Sequence, residues 1–306
     1  MLKSPKVIVA LVLVQVFFAT LPIAVKVALR DLSSPALALL RVSGAAALFW
    51  VLHRVTVRER VRSWRDYGLL AAYSLFGVIM NQLLYITALG MTTATAAQTL
   101  VTAGPAMTLL IAILAGREQG TRAKWLGIAL AGGGALMLVG VGLHEGSGLG
   151  NLLALLNVAC YSVYLVISRG LLRRYNPLTV ITWVFTFGVA GMLPWGVGAA
   201  LREVGGMSAT TWAMMAYIVV FPSVGAYWLN TWALARAESS LVSTFVYLQP
   251  PMTAALAVPL LGEHVSWRML PAVALIFAGV AVAIRAGRSR TPGQPPSAAD
   301  QEVVDP

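Results

Sequence analysis

The chain has 306 residues, of which 58 % are hydrophobic and 11 % charged, and its mean hydropathy is +0.79. Soluble domains carry about 25 % charged residues, so this composition excludes an ordinary soluble domain and predicts an all-α integral membrane protein. The net charge of +11 is not accompanied by basic stretches interleaved with aromatic residues on a polar segment, so we expect a lipid bilayer and no nucleic acid as partner.

Ten segments approach the roughly 20 apolar residues that a helix needs to cross a bilayer. In chain order the predicted spans are 7–29, 35–53, 67–89, 93–115, 124–142, 151–172, 177–200, 211–234, 241–261 and 267–286. The first span follows Lys3 and Lys6 as a secretory signal would, but it exceeds the apolar core of about 7–15 residues that such signals have. We therefore expect an uncleaved first helix. Residues 287–306 are rich in Pro, Ser, Gly and acids, which predicts a disordered tail.

Basic residues are distributed unevenly between the connections. Seventeen of the 22 Lys and Arg residues lie in connections that are cytoplasmic if the N-terminus is inside, and four lie in the opposite connections. Because basic loops are retained on the cytoplasmic side, this bias predicts that both termini are cytoplasmic.

A repeated segment relates the fourth predicted span to the ninth. Five residues of the first copy recur 145 positions later: Pro105, Met107, Thr108, Ala112 and Glu118 correspond to Pro250, Met252, Thr253, Ala257 and Glu263. Gly134 and Gly279 repeat at the same offset. The repeat unit is therefore five helices, with halves at 1–145 and 146–286 and the cytoplasmic tail at 287–306. Two units with an odd number of spans must be inverted relative to each other, which is typical of alternating-access transporters.

These features resemble a known family. The two five-helix halves, each with a proline in its fourth helix and a closing glutamate, are similar to the EamA branch of the drug/metabolite transporter superfamily. Lys26 at the end of the first span and the opening of the second span, from Pro35 to Arg41, share the resemblance. It covers residues 7–286 and extends to YddG-type bacterial amino-acid exporters. The resemblance implies transport of amino acids or other metabolites.

Polar residues recur on one face of several predicted spans, and amides do not face lipid cheaply. We expect these side chains to point inward and line a substrate cavity, although Ser, Thr and Asn also serve as hydrogen-bonding contacts between membrane helices. The substrate-binding candidates are Gln15, Arg41, Asn81, Tyr85, Gln98, Thr102, Asn157, Tyr161, Tyr164, Trp183, Tyr227, Asn230, Tyr247 and Gln249.

Four prolines are candidate kinks or hinges, because a proline frees backbone carbonyls that can face a cavity: Pro22, Pro105, Pro250 and Pro251. Packing alone is the alternative explanation for them. Arg41 lies six residues after Pro35, about 9 Å along the helix axis. It could extend to the outer interface, or it could face the cavity and attract a carboxylate. Glu118 and Glu263 end their spans, where basic residues or backbone amides are available as partners.

All eleven acidic residues and all three histidines lie in connections, at span ends or in the tail. Proton relays inside membranes usually need such a residue in mid-span, so we favour facilitated transport over tight proton coupling. The chain has no HExxH motif and no paired intramembrane aspartates. We therefore expect no catalytic residues, no metal site and no cofactor.

The sequence thus predicts a multi-pass protein of the bacterial inner membrane that exports small metabolites, with neutral or aromatic amino acids as the favoured class. Three alternatives stay open: a drug or nucleotide-sugar carrier of the same fold, a membrane-embedded enzyme and a non-transporting scaffold. The sequence does not determine the oligomeric state, for which we favour a monomer.

Overall fold

The computed structural model describes residues 5–144, 147–234 and 245–288. Within these ranges the side chains of Leu143, His144, Arg169, Tyr227, Thr231, Trp232, Leu234 and Arg288 are not described. All regular secondary structure in the described ranges is helical.

Fourteen α-helices are described, which we number in chain order. They are α1 (Pro5–Ala28), α2 (Ser34–Thr56), α3 (Trp64–Ser74), α4 (Met80–Met91), α5 (Ala94–Val101), α6 (Gly104–Leu114), α7 (Arg122–His144), α8 (Gly148–Ile167), α9 (Arg169–Leu172), α10 (Pro177–Glu203), α11 (Ala209–Ile218), α12 (Ala226–Leu234), α13 (Gln249–Leu261) and α14 (Met269–Arg288).

By length and composition, eight helical stretches of the described chain can cross a membrane. Helices α5 and α6 add a ninth if the bent pair is one span, and a shorter apolar stretch covers Val246–Leu261. Each of the ten predicted spans therefore overlaps an apolar helical stretch. Part of the ninth predicted span and nearly all of the predicted tail lie outside the described residues.

Two helices are broken at related positions. Helices α5 and α6 meet at 40°, and Pro105 lies in the first turn of α6, where a missing N–H costs nothing. In the second half, a short 3-10 turn at Val246–Leu248 leads into α13, with Pro250 in the first turn. Helices α6 and α13 begin 145 residues apart, the offset of the sequence repeat. These prolines therefore start new helices, whereas Pro22 is buried inside an unbroken α1.

Two π-helical segments interrupt other spans. They cover Leu75–Ile79, between α3 and α4, and Val219–Gly225, between α11 and α12. Shifting the first by 145 residues gives 220–224, which lies inside the second. Because π-segments widen the helix and displace its hydrogen bonds, they are frequent at functional sites. The apolar pattern of the sequence did not predict them.

Helices α7 and α14 pack at close range through glycine. A Cβ atom at Gly134 would lie 2.7 Å from the carbonyl oxygen of Ala272, and one at Gly279 would overlap the amide nitrogen of Ala131. Only glycine permits such backbone contact, which is the usual way that membrane helices approach closely. Gly132 and Gly133 make no such contact, so within the run 132–134 Gly134 alone allows the close packing of α7 against α14.

Candidate substrate site

Three glutamine side chains join the two halves of the chain. The Gln98 amide in α5 donates to Oε1 of Gln249 in α13, and the Gln249 amide donates to Oε1 of Gln15 in α1 over 2.6 Å. The Tyr85 hydroxyl in α4 donates to Oε1 of Gln98 over 3.3 Å. None of these four residues is more than 7 % exposed. We call this set the amide chain.

The helix breaks position the amide chain. Gln98 lies just before the break between α5 and α6, and Gln249 is the first residue of α13. An unpaired amide in an apolar interior costs several kcal/mol, which explains why these side chains satisfy one another. Amides both donate and accept hydrogen bonds, so the same groups can exchange their partners for polar groups of a ligand.

Arg41 lies next to this chain. It is 7 % exposed, and its Nε donates to the Ser223 hydroxyl in the second π-segment over 3.3 Å. The Tyr85 hydroxyl is close enough to interact electrostatically with the guanidinium. No carboxylate of the described chain forms an ion pair with Arg41. The sequence identified Arg41 but could not identify Ser223 as its partner.

Other candidates from the sequence lie around α4 and α8. The Asn157 amide donates to the carbonyl oxygen of Asn81 over 2.8 Å, just after the first π-segment. The Tyr164 ring fills the space beside Gly77, where a Cβ atom would lie 2.6 Å from it. Tyr161 is 45 % exposed, although its ring lies 5.8 Å from that of Tyr164.

The remaining candidates are scattered. Thr102 bonds to the Thr99 carbonyl oxygen within its own helix turn. Trp183 packs edge-to-face against Trp50 and Tyr67, in an aromatic cluster of α2, α3 and α10. Asn230 is half-buried and Pro251 is exposed. The Tyr227 side chain lies outside the described part of the structure.

Four buried side-chain oxygens have no hydrogen-bond partner among the described residues. They are the hydroxyls of Ser74, Ser168 and Tyr247 and Oε1 of Gln82. Tyr247 immediately precedes the Gln249 helix, and its ring packs against Phe277 at 5.1 Å. Gln82 follows the first π-segment and is not among the predicted site residues, which in this span are Asn81 and Tyr85. Within the described ranges, His, Cys, Asp and Glu form no group able to hold a metal.

The sequence profile of the EamA-like transporter family matches twice, over residues 5–140 and again over residues 148–285. The chain belongs to the EamA-like transporter family. It is therefore a membrane transporter of the drug/metabolite type, in agreement with the resemblance seen in its sequence.

Named relatives of this EamA-like transporter are also transporters, which places it among transporters and not enzymes. An uncharacterized transporter of Archaeoglobus fulgidus is 28 % identical over 78 % of this chain and 83 % of its own length. A probable terminal-alkyne amino-acid exporter of Streptantibioticus cattleyicolor is 27 % identical over 96 % of this chain and its full length. One solved crystal structure has the same fold, with a TM-score of 0.60 at 19 % identity over 94 % of this chain and 99 % of that one.

At one end of this transporter, Glu263 binds across to the other half. Its carboxylate accepts from the amides of Ala94 (2.6 Å) and Thr95 (3.2 Å) and from the Thr95 hydroxyl (3.2 Å). These amides form the N-terminus of α5, where a negative charge is favoured. The Lys26 ammonium lies 3.7 Å from Glu263. A pocket of about 450 Å³ beside them is lined by Lys26, Leu29, Leu32, Ser33, Ser34, Leu89, Gly90, Leu261 and Glu263.

Carboxylates outside the spans also tie helix ends together. Asp31 accepts from the amide and hydroxyl of Ser208 and from the Thr211 hydroxyl, and these bonds lower its pKa to about 2. Asp66 accepts from Arg174 and from the Tyr175 hydroxyl, each over 2.6 Å. The Asp66 hydrogen bond raises the pKa of Tyr175, because the bond is lost when the hydroxyl ionises.

Proposed function

We propose that this transporter exports amino acids, with neutral or aromatic ones as the favoured class, across the inner membrane of a bacterium. The observation that carries the proposal is the amide chain, because it places hydrogen-bonding groups from both halves in the buried centre at the helix breaks. Substrate sites of inverted-repeat transporters lie at such discontinuous helices. The exporter relative supports the substrate class.

In the proposed architecture, ten spans form two inverted five-helix halves, at 1–145 and 146–286, with both termini cytoplasmic. The bent pair α5 and α6 counts as one span, and α13 with the residues before it counts as another. The repeated helix starts at Gly104 and Gln249 and the uneven distribution of Lys and Arg support this arrangement. Reporter fusions after Arg62, Arg122 and Arg174 should be cytoplasmic, and a fusion after Arg202 should be external.

The mechanism we propose is alternating access, in which the halves rock around the amide chain and the segments at Pro105 and Pro250 act as hinges. Small-molecule export then runs down the substrate gradient. The described acidic residues lie at helix ends and in connections, so the described spans offer no carboxylate for proton exchange. We propose a monomer as the transporting unit.

The test is a flux assay with the purified protein in proteoliposomes. Labelled L-phenylalanine, L-leucine and L-propargylglycine should exchange against the same unlabelled compound without an imposed pH gradient or voltage. Gln98→Leu and Gln249→Leu should each slow exchange, whereas Leu149→Ala, at an exposed position of α8, should not. Exchange of a nucleotide sugar or a cationic drug, but of none of these amino acids, would refute the substrate class. Accumulation that collapses with a protonophore would refute facilitated transport.

A further inference from the structure

We propose that Arg41 selects substrates by their carboxylate group. This inference rests on the proposed function, because it assigns a substrate determinant within the same site. It predicts a definite selectivity: carboxylates are accepted with or without an amino group, and the corresponding amines and amides are rejected.

The first argument is the burial of Arg41. Its guanidinium is always protonated and carries five N–H donors, of which the described structure engages one, through Ser223. A side chain that is 7 % exposed does not reach bulk water to solvate the remaining donors. A buried charge without a partner is costly, so intramembrane ionisable residues are retained where they act on a substrate or pair with another charge.

The second argument concerns the available carboxylates. Every described acid lies at a helix end or in a connection. Five of these carboxylates accept hydrogen bonds from another helix or connection at the helix ends. The pairs are Asp31 with Ser208, Glu59 with Asn176 and Thr179, Asp66 with Arg174, Glu203 with Ser33, and Glu263 with Ala94 and Thr95. Glu118 pairs with Lys124. The described protein thus supplies no internal counter-ion for Arg41, and a substrate carboxylate is the group that fits it.

The third argument is the position of Arg41 beside the amide chain. A carboxylate on the guanidinium would lie near Tyr85, whose hydroxyl already bonds to Gln98. The glutamine amides can then bind other polar groups of the substrate. Since no described acid lies nearby, an ammonium group gains no ion pair in this site. The site therefore discriminates on the carboxylate and tolerates exchange of the amino group for a hydroxyl.

Competition against labelled L-phenylalanine exchange in wild-type proteoliposomes tests this selectivity. Unlabelled L-phenylalanine and L-3-phenyllactate should compete, whereas L-phenylalaninamide and phenethylamine should compete at least about 30-fold less well, the smallest effect expected for losing one partner of a buried charge pair. Equal competition by the amide or the amine would overturn the assignment.

Variants of Arg41 then test whether this residue causes the selectivity for carboxylates. Arg41→Gln should raise the KM for L-phenylalanine by at least about 30-fold and abolish the preference for the acid over its amide. Arg41→Lys should retain part of the preference, because it keeps the charge but loses the planar fork. Arg202→Gln, at an exposed residue of α10, is the matched control and should leave both unchanged. An Arg41→Gln protein that folds and still prefers the acid would overturn the inference.

Two further outcomes separate the proposals. If Arg41→Gln does not fold, the wild-type competition series decides alone. If the wild type exchanges no amino acid, the proposed function fails, and ligand-induced thermal stabilisation of the detergent-solubilised wild type is compared for L-3-phenyllactate and its amide. Stabilisation by the acid alone would then support the Arg41 assignment, and equal or absent stabilisation would overturn it.

Discussion

Glu118 and Glu263 occupy equivalent positions of the sequence repeat, yet their surroundings differ. Glu263 is 9 % exposed and accepts three hydrogen bonds from Ala94 and Thr95, on the other half of the chain. The Glu118 side chain is 34 % exposed and pairs with Lys124, six residues further along its own half. The repeat therefore supplies the same residue twice, but of these two glutamates Glu263 alone bonds to the other half within the described structure.

This difference bears on the proposed mechanism. A carboxylate on the N-terminus of α5 forms charge-assisted hydrogen bonds, which are about twice as strong as neutral ones. An exposed ion pair such as Glu118–Lys124 contributes about 0–1 kcal/mol. Under alternating access the two ends open in turn. Bonds between the halves are present at both ends in this structure, at Glu263 on one side and at Glu59 and Asp66 on the other. The Glu263 bonds therefore have to break whenever that end opens during the cycle.

The largest effect should come from preventing that break. Thr95→Cys with Glu263→Cys, in a Cys160→Ala background, joined by a short bifunctional thiol reagent, should lose nearly all exchange activity. Reduction of a cleavable reagent should restore the activity of the same sample. The single-cysteine proteins, treated alike, are the controls. Full exchange by the cross-linked protein would show that this end does not open during transport.

The two glutamates should differ in their contribution to stability. Glu263→Gln replaces charge-assisted bonds by neutral ones and should lower the free energy of unfolding by about 2 kcal/mol. Glu118→Gln should change it by less than about 0.5 kcal/mol. Thermal unfolding of both variants in the same detergent measures the difference. Equal losses of stability in the two variants would mean that the two glutamates contribute equally to the folded state, despite their different partners.

The turn before each glutamate allows a finer comparison. Gly262 and Gly116 both have left-handed backbone conformations, with φ of 66° and 68°. Alanine at either position should lower the free energy of unfolding by about 1 kcal/mol, because its side chain strains a left-handed backbone. Only Gly262→Ala should also displace the Glu263 carboxylate and alter the exchange rate. If Gly116→Ala changed the exchange rate by as much as Gly262→Ala, the change would be explained by backbone strain and not by displacement of Glu263.

Lys26 should contribute less than the backbone amides. Its ammonium is 3.7 Å from Glu263 and its side chain is 23 % exposed, which makes it a weak, partly screened ion pair. Lys26→Gln should therefore lower the free energy of unfolding by about 0.5 kcal/mol. A loss of stability as large as that of Glu263→Gln would mean that the ion pair with Lys26, and not the backbone amides, holds the Glu263 carboxylate in place.

The smallest effect concerns pH and Asp31. Its pKa falls from 3.8 to about 2 on folding, so its contribution is complete above 3.8 and disappears as the pH falls through 2. The difference in melting temperature between wild type and Asp31→Asn should be constant from pH 5 to 8. It should shrink below about pH 3.8. A difference that changes near neutral pH would point to another group.

Much of the fold follows from local patterns. Apolar length predicted the helical stretches, and the repeat at an offset of 145 identified the prolines that open α6 and α13. The family was also recognisable, because its features are spacings along the chain. Such signals survive in a sequence since helix length and proline positions are local properties.

The partners across the protein depended on packing between distant segments. Gln98 bonds to Gln249, 151 residues away, and Gln249 bonds to Gln15, 234 residues away. Helical periodicity shows which side chains share a face, but not which helix that face meets. Trp183 was therefore predicted to line the cavity, whereas its ring packs in an aromatic cluster with Trp50. The Arg41–Ser223 contact and the unequal partners of the two glutamates likewise have no local signal, because each depends on which segments the fold brings together.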